Sequence, residues 1–80
     1  MIRLLYFARL RESFGSAGET LDSTPATVAD LLAELSARGE SWEEALSGKV
    51  LVAVNQEMAL PDSVLADGDE VGLFPPVTGG

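Results

Sequence analysis

Thr27-Val28-Ala29-Asp30-Leu31-Leu32-Ala33-Glu34-Leu35-Ser36-Ala37-Arg38-Gly39 is the stretch on which the fold turns. Val28, Leu31, Leu32 and Leu35 fall at i, i+3, i+4 and i+7, which makes one apolar stripe along an amphipathic helix. Thr27 stands at the N-cap position, and Asp30 follows three residues later beside the positive end of the helix dipole. Gly39, after Arg38, is the natural stop. The stripe is too short for a coiled-coil seam, so it has to be buried within this chain's own core.

Outward from the helix, both flanks read as strands. Ile2-Arg3-Leu4-Leu5-Tyr6-Phe7-Ala8 is short, apolar and aromatic. Alternation sends Ile2, Leu4 and Tyr6 to one face and Arg3, Leu5 and Phe7 to the other. Residues 9–18 are mixed and carry Gly15, Ser16 and Gly18, so a turn or loop is expected there. A weaker strand over residues 19–22 would return antiparallel to the first. After the helix, Trp42 and Leu46 share a short helical turn, with Trp42 expected to pack at the margin of the core.

Residues 49–54 then form a strand with Val50, Val52 and Val54 on one face and Leu51 and Ala53 on the other. Asn55-Gln56-Glu57 turns the chain into a short strand at residues 58–60, which Pro61 ends. Asp67-Gly68-Asp69 makes a tight turn into a last strand, residues 70–74. There Val71 and Leu73 oppose Phe74.

Strand, strand, helix, strand, short strand, strand is the order of an α+β protein of β-grasp, ubiquitin-like type. The expectation is a mixed sheet of four or five strands with one main helix on one face. A single helix covers only one face. Leu5, Phe7, Leu51, Ala53 and Phe74 would therefore form a second, uncovered apolar set, and exposed contiguous apolar surface marks an interaction site.

Composition narrows the chemistry. Eighty residues make one domain, and 46% hydrophobic content supports a core without staples. The chain has no cysteine and no histidine, which removes the thiolate nucleophile, the usual general base and the commonest metal ligands. No metal site or bound cofactor is expected, and catalysis by this chain alone is not indicated. A net charge of -8 is the wrong sign for nucleic acid; it suits either steering towards a basic protein surface or simply keeping a small protein soluble. Arg3, Arg9 and Arg11 interrupt the first segment, and no run reaches membrane-spanning length. The chain therefore reads as cytoplasmic, with no membrane partner.

Phe74-Pro75-Pro76-Val77-Thr78-Gly79-Gly80 closes the chain. The reading is a folded domain over residues 1–74 followed by a flexible tail over residues 75–80. Pro75 and Pro76 lack N–H groups and have restricted φ, so they stiffen the exit and cannot extend a sheet. Glycines without Cβ atoms pass a channel too narrow for other residues. At ~3.3 Å per extended residue, the tail reaches roughly 20 Å from the body. Gly80 is the candidate for chemistry.

The chain resembles the small subunits of molybdopterin synthase, ubiquitin-like sulfur carriers of molybdenum-cofactor biosynthesis. The resemblance runs through residues 2–8 and Arg11-Glu12, then Thr27-Val28 and Val52-Ala53-Val54-Asn55-Gln56. It closes on Leu65-Ala66-Asp67-Gly68-Asp69-Glu70-Val71 and the tail block, its most specific part. The resemblance implies that an ATP-dependent adenylating enzyme activates Gly80 and that a persulfide donor converts it to a thiocarboxylate. It further implies that Pro76, Val77, Thr78 and Gly79 line a channel in a large subunit, within a heterotetramer of two small and two large subunits. There the sulfur passes to a cyclic pyranopterin phosphate. Phe7 and Phe74 are assigned to the docking surface by their position beside the tail. Competing readings are a thiamin-type sulfur carrier, a ubiquitin-like protein modifier and a binding module with an inert tail.

Overall fold

The computed structural model describes residues 1–47 and 50–75. Its elements are β1 (Ile2–Tyr6), α1 (Arg9–Phe14), β2 (Gly18–Leu21), α2 (Val28–Ser36), α3 (Glu40–Leu46), β3 (Leu51–Val54), β4 (Glu57–Met58) and β5 (Glu70–Phe74). The strands form one mixed sheet in the order β2-β1-β5-β3-β4. β1 and β5 run parallel at its centre, and the other neighbours are antiparallel. The expected β-grasp arrangement is therefore present, with five strands.

α2 forms as its residues dictate. The Thr27 hydroxyl accepts the Asp30 N–H at 3.2 Å, which satisfies one of the donors left open at a helix start. Val28, Leu31 and Leu35 are buried, and Leu32 packs beside them. They meet Ile2, Leu4 and Tyr6 of β1, Val52 of β3, and Val71 and Leu73 of β5 in a single core.

The helix ends earlier than Gly39. Ser36 is its last residue, the Ala37 N–H closes on the Ala33 carbonyl, and the Gly39 carbonyl instead accepts the Glu43 N–H that opens α3. Arg38 thereby leaves the helix axis and reaches Glu19.

Residues 9–14 correct the expected loop: they are helical. Leu10 and Phe14, four apart, face the core side. Gly15, at φ 67, closes the turn, with its N–H on the Glu12 carbonyl at 3.3 Å and the Ser16 N–H on the Arg11 carbonyl at 3.2 Å. That is a Schellman cap, which needs a residue comfortable at positive φ. Phe14 stacks on Trp42 of α3 with centroids 3.8 Å apart, so Trp42 packs at the margin of the core as expected.

All three helices send their buried side chains into the same cluster. The other sheet face is left to its own residues. No helix among the described residues is long and apolar enough to cross a membrane.

Turns place the remaining strands. Asn55 and Gln56, at φ 51 and 70, form the two-residue loop between the paired Val54 and Glu57, the positive-φ geometry that suits a twisted hairpin. β4 is shorter than expected and stops at Met58. The Asn55 side chain also anchors the start of β5: its Oδ1 accepts the Glu70 N–H and its Nδ2 donates to Asp69 Oδ1, each at 3.0 Å.

Candidate functional site

The candidate site is the helix-free sheet face together with the root of the tail. Strand register sets its layout. Leu5, Gly72, Ala53 and Met58 lie side by side across β1, β5, β3 and β4, with Leu51 beside Phe74 in the next row and Arg3 beside Glu70 in the row before. The face is therefore apolar towards the exit of the tail and polar towards the opposite end. Phe7, Leu51 and Met58 are 39%, 37% and 66% exposed, large values for apolar side chains in one connected surface. Leu5 and Phe74 are half-buried and Ala53 is buried.

Phe7 follows the end of β1, where its N–H still donates to the Leu73 carbonyl at 3.1 Å. This brings its ring against Phe74: the centroids are 4.4 Å apart and the planes differ by 4°. Both residues assigned to docking from the sequence thus meet at the base of the tail. Ala8, at φ 51, then turns the chain away into α1. Sequence reasoning missed Met58 and Gly72 as members of this face. The expected three-residue turn would set Met58 opposite Val54 rather than Ala53 and so hid it, and a glycine carries no hydrophobic signal. Pro76, Val77, Thr78, Gly79 and Gly80 lie outside the described residues.

On the helical side, a polar cluster ties the layers together. The Tyr6 hydroxyl donates to Glu19 at 2.7 Å, and Arg38 grips the same carboxylate with both Nη atoms at 2.7 and 2.8 Å. The Arg38 guanidinium also lies 4.7 Å from the centroid of the Trp42 ring. Its hydrogen bonds hold the Glu19 carboxyl below the usual carboxylate range, while burial, followed by the Glu19 contact, pushes the Tyr6 phenol well above its ordinary value. A carboxylate bound this way is a poor proton acceptor near neutral pH, so the cluster holds structure rather than moving protons. Among the described residues no group of acidic side chains has a metal-holding arrangement.

Comparison with known proteins agrees with this architecture. The ThiS family profile matches residues 4–80. The molybdopterin synthase sulfur carrier subunit of Escherichia coli strain K12 is 44% identical over 81 aligned residues, covering all of both chains. The subunit of the same name from Haemophilus influenzae is 41% identical, again over the full length of each. In structure, SAMP1 of Haloferax volcanii superposes with a TM-score of 0.81 at 34% identity, over 99% of this chain and 98% of that one. Likeness over the whole length carries the role of a sulfur carrier in molybdenum-cofactor biosynthesis. The chain therefore belongs to the ThiS family and sides, within it, with the molybdopterin synthase sulfur carrier subunits.

Proposed function

We propose that Gly80 is the group that carries the sulfur and that the aromatic sheet face docks the chain so that the tail enters a partner's active site. The observation that carries this reading is the position of the Phe7 and Phe74 stack at the base of the tail, on an open apolar face. A free C-terminal carboxylate is ionised at neutral pH, with a pKa of about 3.5, and is a poor electrophile. ATP-dependent adenylation turns it into a mixed anhydride with release of pyrophosphate. The terminal sulfur of a persulfide then attacks the acyl carbon, AMP departs, and a thiol cleaves the remaining S–S bond to leave the thiocarboxylate.

Residues 75–80 form the tail that delivers this group, with Pro76, Val77, Thr78 and Gly79 inside a channel of the synthase large subunit. There the sulfur attacks a cyclic pyranopterin monophosphate, and water returns Gly80 to the carboxylate. Two such cycles supply both sulfurs of the dithiolene. The active site and its cationic groups belong to the large subunit, in a cytoplasmic heterotetramer of two small and two large subunits. The chain itself binds no cofactor; ATP is consumed by the adenylating enzyme.

Intact mass spectrometry tests the carrier step. After incubation with the adenylating enzyme, ATP and a persulfide donor, the chain should gain the mass difference of one oxygen exchanged for sulfur, and a chain lacking Gly80 should not. Absence of the gain, under conditions that convert an established carrier, would sink the proposal. The likeness to SAMP1, a small archaeal modifier, favours a second reading in which Gly80 also forms isopeptide bonds to lysines. Covalent conjugates of the tagged chain in cell extracts, lost on deletion of Gly80, would establish it.

A further inference from the structure

Gly72 occupies the middle of the docking face, between Leu5 and Ala53 in register. It is the residue directly beneath the aromatic pair. A Cβ at this position would lie 3.1 Å from Phe7 Cε2 and 3.3 Å from Phe74 Cε1, closer than side chains normally approach. The rings therefore lie down on the bare strand at position 72, and that is where they stack with their planes 4° apart. Glycine in a strand interior weakens the strand and marks a site of close approach. Its backbone is otherwise ordinary: Gly72 is absent from the positive-φ positions, so no turn or bulge requires it. The close approach of the two rings is what a side chain here would disturb.

We propose that Gly72 is a positioning residue: it seats Phe7 and Phe74 as one flat platform at the root of the tail, and thereby sets the affinity of the carrier for the large subunit. This rests on the reading of the face as the docking surface. A small side chain would move each ring by a few tenths of an ångström. A β-branched one would lift the rings off the sheet and break the platform, while raising local strand propensity.

The consequence is that affinity and stability part company. Gly72→Val should fold with a Tm close to that of the parent chain, because the gain in strand propensity offsets the lost stack, yet bind the large subunit at least tenfold more weakly in titration calorimetry. Gly72→Ala should fall between the two. The double variant Phe7→Ala/Phe74→Ala supplies the second background. With both rings removed, Gly72→Val should cost less than twofold, because it acts only through them.

Parent-like affinity in a folded Gly72→Val chain would overturn the proposal. So would an equal loss in the presence and absence of the rings. If Phe7→Ala/Phe74→Ala itself binds as tightly as the parent, the docking reading fails as well; if it binds weakly while Gly72→Val binds normally, only the role of Gly72 is lost. Should Gly72→Val not fold, Gly72→Ala in the same two backgrounds decides: a loss confined to the background with rings supports the proposal, and no loss refutes it.

Discussion

With docking through the aromatic face as proposed, truncating Phe7 to alanine should weaken binding to the large subunit by about 2 kcal/mol. An aromatic side chain offers roughly 200 Å² of surface, of which 39% remains exposed at Phe7 in the free chain. Docking that covers this remainder removes about 80 Å² from water. At ~25 cal/mol per Å², the loss on truncation is about 2 kcal/mol, or roughly thirtyfold in Kd. The variant also gives up the stack with Phe74, about 1 kcal/mol in the free protein, so a modest fall in Tm should accompany the loss of affinity.

Titration calorimetry at fixed ionic strength, on a variant shown to be fully folded at the working temperature, measures the first effect separately from the second. A Kd within twofold of the parent would refute the assignment, because no partner surface would then be covering the ring. An unchanged Tm alongside lost affinity would leave docking intact but would contradict the energetic role of the stack.

Three further outcomes follow from the core, the α2 cap and the polar cluster. Leu35→Ala, at a fully buried position of α2, should lower unfolding free energy by about 2–5 kcal/mol in urea denaturation, and a loss below about 1 kcal/mol would mean that the sheet collapses onto the helix. Thr27→Ala removes the cap on the Asp30 N–H and should cost about 1 kcal/mol, read as a downward shift in Tm without loss of the fold. Glu19→Gln tests the ion pair with Arg38 through pH. Because the folded-state carboxyl titrates below its unfolded value, its stabilisation, about 1 kcal/mol, is present above the unfolded pKa of about 4.3 and fades as pH falls through the lower folded value. The stability difference between parent and variant should therefore be full at neutral pH and vanish in strong acid; a difference that persists or grows on acidification would assign the shift to another group.

Legibility followed the length of the pattern. α2 offers a complete stripe with a cap, and β1 and β5 offer clear alternation, so their buried faces were readable residue by residue. α1 was not, because a six-residue helix shows only Leu10 and Phe14 as a periodic signal, and Gly15 and Ser16 read equally well as loop. Its apolar side packs partly through Phe14 on Trp42, a contact between elements with no local trace. The end of α2 was misplaced for a related reason. Arg38 is drawn out of the helix towards Glu19 and Trp42, and a cap residue such as Gly39 cannot signal that competition.

Local chemistry alone determined which side chains point which way along each strand and where α2 begins, because backbone sterics and alternation act within a few residues. The assembly of the aromatic sheet face required the tertiary fold. Phe7 and Phe74 stand at opposite ends of the chain, and they meet only because β1 and β5 pair in parallel, a non-local pairing whose register no single segment encodes. The same pairing gives Gly72 its meaning: a glycine is defined by what lies above it, and here that is two rings brought together by the sheet.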